Sequence, residues 1–460
     1  MQATANRYIN SIDFLNLFSW DVKAYLNKSN QFNPSYPFVL FGEFLKKPSI
    51  EKVKIDDEKE YKILGVRSYG KGVFANRTVK GKTLKMREYQ KAKSNHLFWC
   101  KVDTKNGAFG VIKEDLADGV ASSNMTFTEI DISKINVDFL QLLFTCKGVM
   151  QYLDSFVTGT TNRKYIRPEQ LLNEIKIPLP TLKEQDALVK DYHSKINEAE
   201  SLIKKSKHLE SEIEKFLYEG LGLFKQEVKH KKNINLQFIN FESVLEWGLD
   251  KILSVSNKKS SKYSLTSIEE NPQLAINLFR GKSPKYKDGT SSIILNQKCN
   301  RWNEIDLSFV KSVDEAWLKS VDINNLTKEG DILINSTGEG TIGRASYVKK
   351  EFEGLLYDSH LLLLRLDSKK INPELFVEIF NSKYGQDQVN DIKSAQATKQ
   401  TELGTSNLAR IKFPILDNII IQNEIISKIK KLRIQKLDYL NKTINLRAKA
   451  EQEFEKAIFS

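Results

Sequence analysis

Two landmarks recur in the same order in the two halves of this chain, and that recurrence constrains the fold more than any single motif. IDFLNLFSW, from Ile12 to Trp20, returns as INFESVLEW from Ile239 to Trp247, with Ile, Phe and Trp at identical spacing. EIKIPLPTLKEQ, from Glu174 to Gln185, returns more loosely as RIKFPILDNIIIQ from Arg410 to Gln422. Each second landmark sets a proline just ahead of a long stretch free of glycine and proline. A shared order of two landmarks argues for a duplicated unit.

The first of those stretches, Thr181 to Glu219, carries apolar residues at alternating three and four steps through Val189, Tyr192, Ile196, Ala199, Leu202, Leu209, Ile213 and Phe216. That spacing predicts an amphipathic helix. Pro178 and Pro180 precede it, and Gly220 and Gly222 follow, as start and stop punctuation. At about 1.5 Å per residue it is roughly 60 Å long, more than a small domain can cover. The second stretch, from Asp417 to Phe459, places Ile426, Ile429, Leu437, Leu440, Ile444, Phe454 and Ile458 in a similar rhythm. Mutual burial as an antiparallel coiled coil is the economical arrangement. The expected seam, or partner-facing surface, comprises Val189, Tyr192, Ile196, Leu202, Leu209 and Ile213 with Ile429, Leu437, Leu440 and Ile444.

The segments before each helix are rich in strand signals. GDILINSTGEGTIGRASYV, Gly330 to Val348, reads as strand, Gly-rich turn and strand, and HLLLLRL, His360 to Leu366, as a fully buried strand. YKILGVRSYGKGVF, Tyr61 to Phe74, and NGAFGVI, Asn106 to Ile112, alternate similarly around glycines. Shorter helices are expected at Val137 to Tyr152 and Pro373 to Val389. The fold class is therefore α+β: two similar α/β domains separated by two long helices, with a pseudo-twofold internal repeat. Boundaries fall at 1–180, 181–222 for the first long helix, 223–236 for the linker, around the charged sequence KQEVKHKKNINLQ at Lys225 to Gln237, 237–416, and 417–460 for the second long helix.

Composition narrows the partner. With 460 residues and 40% hydrophobic content, the chain has material for two or more cores. An excess of 71 Lys and Arg over 58 Asp and Glu leaves a formal charge of +13, suited to a polyanion or to a merely solubilising surface. Cys100, Cys146 and Cys299 lie far apart and form no CxxC pair, so they read as core thiols of a cytoplasmic protein. No stretch approaches the roughly 18 apolar residues of a membrane span, and MQATANRYIN lacks a basic region followed by an apolar core.

Catalytic constellations are absent from the reading. His96, His193, His208, His230 and His360 are scattered, and no HExxH, GxSxG or P-loop occurs. Neither Asn-Pro-Pro-Tyr nor Asp-Pro-Pro-Tyr, the tetrapeptides of amino-methyltransferases, is present. Gly338, Gly340 and Gly343 satisfy GxGxxG after a strand, but strand-like RASYV follows where dinucleotide binding requires a helix. A tight hairpin loop is the better reading, with Asn335, Ser336, Thr337 and Arg344 placed for phosphate or base-edge contacts. The chain is read as having no catalytic residue, cofactor site or metal site.

The positive evidence is basic residues interleaved with glycine and aromatics. One cluster runs through Arg67, Lys71, Arg77, Lys80, Lys82, Lys85 and Arg87 beside Tyr69 and Phe74. The other runs through Arg280, Lys282, Lys285, Lys287, Lys298 and Arg301 beside Tyr286 and Trp302. Lys and Arg neutralise phosphates, and Arg reads base edges in the major groove. Solvated surface is the bland alternative for any one of them.

The proline-to-helix junction IPLPTLKEQ at Ile177 to Gln185, the loop GDILINSTGEGTIGR at Gly330 to Arg344, and two modules alternating with two long helices together resemble the specificity subunit of type I restriction-modification enzymes. The resemblance spans essentially the whole chain. The second junction, FPILDNIIIQNE, departs by lacking the second proline and the Glu-Gln pair. The resemblance implies two target recognition domains, each reading one half of a bipartite site on double-stranded DNA. It also implies helices that dock two modification subunits, which use S-adenosylmethionine to methylate adenine. Restriction subunits using ATP and Mg2+ would join them. The alternatives are a free-standing sequence-specific regulator, which would bind DNA alone, and a coiled-coil scaffold, which would not bind duplexes in a salt-dependent way.

Overall fold

The computed structural model describes residues 32–46, 51–100, 107–156, 166–225, 259–319, 321–322, 325–338, 340–392, 394–395 and 401–459. The landmarks at Ile12 to Trp20 and Ile239 to Trp247, and the linker beyond Lys225, lie outside them. Two compact units result, Met1–Ile203 with Leu440–Ser460, and Lys204–Tyr439.

In the first unit, a five-stranded sheet runs in the order β2 (Lys52–Lys54), β5 (Glu88–Lys91), β8 (Val120–Ala121), β3 (Glu60–Val66), β4 (Val73–Lys80). A three-stranded sheet orders β7 (Phe109–Val111), β6 (His96–Cys100), β9 (Met125–Glu129), and β1 (Phe38–Leu40) pairs with β10 (Lys176–Pro178). Helices α1 (Val137–Leu143), α2 (Lys147–Ser155) and α3 (Pro168–Asn173) complete the unit's short elements. Trp99, Phe109, Phe139 and Phe144 are fully buried in its main core, where the Phe109 and Phe144 rings stack at 4.6 Å.

The second unit centres on a sheet ordered β14 (Ala275–Arg280), β20 (Leu361–Leu366), β17 (Ile332–Asn335), β18 (Ala345–Tyr347). A smaller sheet orders β16 (Lys311–Ser312), β15 (Ile293–Leu295), β19 (Leu356–Tyr357). Strand pairs β11 (Phe224–Lys225) with β12 (Lys259–Ser260), β13 (Leu265–Thr266) with β23 (Phe413–Pro414), and β21 (Ser394–Ala395) with β22 (Thr401–Glu402) flank them. The continuous apolar run of β20 is explained by burial on both faces. Leu362 and Leu364 enter one core and Leu361 and Leu363 another, as a strand covered on both sides requires.

The long helices are α4 (Leu182–Leu221) and α9 (Ile419–Ile458), each of 40 residues; between them in sequence lie α5 (Glu315–Leu318), α6 (Pro373–Asn381), α7 (Lys383–Ile392) and α8 (Thr405–Ala409). A capping box starts α4: the Thr181 amide and hydroxyl donate to Glu184 Oε2 at 2.8 and 2.7 Å, and the Glu184 amide returns to Thr181 Oγ1 at 3.4 Å. Gly222, at φ +55°, ends it, and the Leu223 amide donates back to Tyr218 O at 2.9 Å. The helices run antiparallel within each unit. In the first, Lys195 pairs with Glu453 at 2.8 Å and Thr443 Oγ1 donates to Ala199 O at 3.4 Å. In the second, Arg433 and Lys436 both reach Glu210, and Arg433 also pairs with the buried Glu378 at 2.5 Å.

The repeat is carried by a clamp between a short helix and a long one. Asn136 caps α1, its side chain accepting from the Asp138 and Phe139 amides, while its own amide donates to Gln185 Oε1 at 2.8 Å. Asn372 caps α6 by the same means, and its amide donates to Gln422 Oε1 at 2.7 Å. Gln185 and Gln422 are 0% and 1% exposed. The second junction therefore keeps this function of the first: Gln422 does the work of Gln185 although the Glu-Gln pair is missing.

Three expectations need correction. The helix expected over Val137 to Tyr152 is two, α1 and α2, because Cys146 takes an extended conformation. That over Pro373 to Val389 is likewise α6 and α7, broken at the extended Ser382. On α9, Ile429 is fully buried, but Leu437, Leu440 and Ile444 are 58%, 37% and 64% exposed and lie outside the helix seam. Small residues fill it instead, Ala199 and Thr443 among them. The ends of the stripe enter the cores: Val189 joins that of the first unit with Phe454 and Ile458, and Ile213 that of the second with Ile426 and Ile429. Cys146 and Cys299 are buried and Cys100 half-buried, all free; burial pushes the Cys146 and Cys299 thiols up from their ordinary range. No described helix is long and apolar enough to cross a membrane.

Candidate nucleic-acid interface

In the first unit, β3 and β4 form a hairpin whose second strand is a sheet edge. Its residues from Ala75 to Thr78 are exposed, Arg77 among them, as is Lys80 at its end. The 3-10 turn Gly81–Thr83 adds exposed Lys82, and exposed Lys85 and Arg87 follow. Arg87 pairs with Asp57 at 2.6 Å. Lys71, Arg77, Lys80 and Lys82 have no carboxylate partner among the described residues, which leaves their charge for a polyanion.

The hairpin tip, Arg67 to Gly72, is held from several directions. The Arg67 amide donates to Gly72 O at 3.0 Å, the Gly70 amide to Gly107 O at 2.9 Å, and Gln141 Nε2 of α1 to Gly70 O at 2.6 Å. The Arg67 guanidinium lies 4.7 Å from the centre of the Phe74 ring, within cation–π range. Tyr69 and Lys71 stand exposed at the tip.

In the second unit, the GxGxxG segment is the connection between antiparallel β17 and β18, and no helix follows it. Positive φ at Gly338, Gly340 and Gly343 makes the turn, a conformation favouring glycine. Ser336 is buried, its hydroxyl donating to Leu403 O at 2.9 Å, so it anchors the loop's base. Thr337 is half-buried, with Oγ1 2.6 Å from His360 Nδ1. The Arg344 guanidinium sits 5.8 Å from the Trp302 ring centre, and its Nη2 donates to Gly340 O at 3.2 Å.

The remaining second-unit candidates divide by how firmly they are held. Arg280 Nε donates to Ser359 O at 2.9 Å, and its guanidinium pairs with Glu402. Arg301 lies 4.6 Å from the Phe309 ring centre. Lys282, Lys285 and Lys287 are exposed on the stretch after β14. Beside them the Tyr286 hydroxyl reaches Asp358 Oδ2 at 3.5 Å, and the His360 amide donates to Asp358 Oδ1 at 3.0 Å. Burial raises the Asp358 carboxyl above the usual carboxylate range, and burial together with Asp358 raises the Tyr286 hydroxyl. Around the β17 turn the structure thus brings Thr337 against His360, and Arg344 against Gly340 and Trp302. His360 escaped the basic-cluster reading because it opens an apolar strand; the polar residue heading that run was the available signal.

Of the helix candidates, Val189, Leu202, Leu209 and Ile213 are buried and Tyr192 and Ile196 half-buried. The Tyr192 ring lies edge-on to Phe454 at 6.2 Å.

No protein-family model and no curated protein matches the sequence. Solved structures do. A chain from a study of complex assembly and conformational transition in the type I restriction-modification system superposes with TM-score 0.56 at 12% identity, over 93% of this chain and 97% of that one. The HsdS subunit from Thermoanaerobacter tengcongensis gives TM-score 0.44 at 12% identity over 94% and 98% of the two chains. The S subunit from M. genitalium gives 0.42 at 14% identity over 93% and 98%. The fold of this chain is thus one found in the type I restriction-modification system.

Proposed function

We propose that the chain is the DNA sequence-recognition subunit of a type I restriction-modification complex. Each unit reads one half of a bipartite duplex target, and modification and restriction subunits, drawing on S-adenosylmethionine, ATP and Mg2+, methylate adenine and cleave. The observation that carries this reading is the fold likeness over nearly the whole of both chains. Lys71, Arg77, Lys80 and Lys82, which have no carboxylate partner among the described residues, and the Arg344–Trp302 loop support it, since phosphate contacts position a reader and base-edge contacts give sequence. Chemistry is left to the partners.

The test is co-expression with candidate modification subunits and genome-wide mapping of methylated adenines. A two-part motif with an unread gap is the expected result. The purified complex should bind its target with log affinity falling against log salt at a slope steeper than about five if six or more phosphates are contacted. A nearly flat salt response would sink the reading, and specific binding by this chain alone would favour the free-standing regulator.

A further inference from the structure

We infer that Tyr69 is a specificity-determining contact of the first unit, laying its ring against the bases of that unit's half-site while Arg67 and Lys71 take flanking phosphates. This rests on the DNA-reading function proposed above.

The carrying observation is a juxtaposition of strain and exposure. Tyr69 has φ +62° and is 56% exposed. For a bulky side chain the left-handed region is an outlier, and such conformations persist only where the surroundings impose them. Here they do. The amides of Arg67 and Gly70 are engaged by Gly72 O and Gly107 O, and Gln141 spans the loop by donating to Gly70 O and accepting from the Val111 amide at 2.8 Å. The backbone of Gly70 is pressed so closely on the end of α1 that a Cβ there would meet Phe144 O at 2.1 Å. Glycine at 69 would remove the strain, yet the chain carries an aromatic ring whose surface is left to solvent. The cost in backbone conformation thus leaves more than half of the residue's surface uncovered by the protein.

Flanking chemistry selects the partner. Arg67 is steadied over Phe74 and Lys71 is exposed without a carboxylate partner among the described residues, so cations flank Tyr69 two residues to either side along the hairpin tip. In a duplex, apolar and aromatic side chains wedge between base steps at a cost that depends on the step, and cations beside them hold the backbone. The second unit uses a comparable device independently. Trp302 is 45% exposed and precedes Asn303 at φ +60°, whose Oδ1 accepts from Asn381 Nδ2 at 2.7 Å, with Arg344 beside the ring.

The experiment uses the chain assembled with its modification subunits and two labelled duplexes. One bears the target from methylation mapping; the other has the first unit's half-site, assigned by module exchange, scrambled. Tyr69→Gly and Tyr69→Ala are expected to weaken target binding about ten-fold or more, the scale of losing one base pair's worth of recognition in a duplex site. Binding to the scrambled duplex should stay within about two-fold, and Tyr69→Phe should retain most of the discrimination. Tyr69→Gly should unfold at the same temperature as the parent or higher, because it relieves strain. A lower melting temperature for Tyr69→Gly, with binding lost on both duplexes, would mean that the ring merely supports the loop and would overturn the inference. So would unchanged discrimination by Tyr69→Gly while Arg77→Glu with Lys80→Glu weakens both duplexes, an outcome that keeps the DNA-reading function. A parent complex that does not distinguish the duplexes removes that function, and the inference with it.

Discussion

At the residue scale, the buried glutamines at the two proline junctions tie the short helices to the long ones. Gln422 accepts from the Asn372 amide and donates to Lys370 O and Leu416 O at 3.0 and 2.7 Å. Gln185 accepts from Asn136 and donates to Pro180 O at 2.8 Å. Removing either side chain strands buried backbone groups, each costing about 1–3 kcal/mol. Gln422→Ala should therefore destabilise the second unit by about 2–4 kcal/mol in urea unfolding, and Gln185→Ala the first by somewhat less. Gln422→Glu adds a pH signature. A carboxyl facing two carbonyls is held neutral by the fold, so its folded pKa rises above the unfolded value of about 4.3. A raised pKa makes stability fall as pH rises, and this variant should lose stability between pH 4.5 and pH 7 relative to the parent; equal loss at both would refute the clamp. The sequence held the signal, for Lys134-Ile135-Asn136 and Lys370-Ile371-Asn372 repeat ahead of the two glutamines. Three residues of ordinary composition go unnoticed beside a forty-residue apolar stripe.

At the scale of elements, the spacing of apolar residues located both long helices to within about two residues at each end, because a 3.6-residue period persists over many turns. What covers the stripe was less legible. A periodicity reading counts bulky apolar residues, whereas the closest approach of two backbones needs small ones. Ala199 is 0% exposed and its carbonyl accepts from Thr443, itself 5% exposed. Bulky Leu437, Leu440 and Ile444 are left outside. Ala199→Leu should overpack this crossing and lower stability by about 1–3 kcal/mol. Leu437→Ala in the isolated chain should change it by no more than about 0.5 kcal/mol, where a residue in the seam would cost about 2–5 kcal/mol. Thermal unfolding of the two variants decides between the arrangements, since a seam built on Leu437 reverses their order. The split of α1 from α2 was harder to read: Gly148 stands two residues past the extended Cys146, but an isolated glycine in an apolar helical pattern does not fix a break.

At the scale of the whole molecule, duplication was read from sequence order, while the loops that would read DNA were legible only as charge. The basic clusters fall on β4, on the turn after it and on the stretch after β14, but Ser336 proved an anchor and Tyr69 an exposed ring, since backbone conformation and burial depend on residues distant in the chain. If each unit reads one half-site, replacing residues 31–173 by the equivalent module of a related subunit should change one half of the methylated motif and leave the other intact. The graft must preserve what the first unit's core demands. Phe32 stacks on Phe459 at 4.6 Å, the Asn33 amide donates to Ile458 O at 2.9 Å, and the Gly148 amide donates to Glu455 at 2.8 Å. These contacts dock the module on the end of α9, so the incoming module needs an aromatic in the place of Phe32 and an Asn cap facing Gln185. A graft keeping them should fold with unchanged α9 and yield a hybrid motif in genome-wide methylation maps. Loss of both half-sites from a complex that still assembles would show that recognition is not divided between the units.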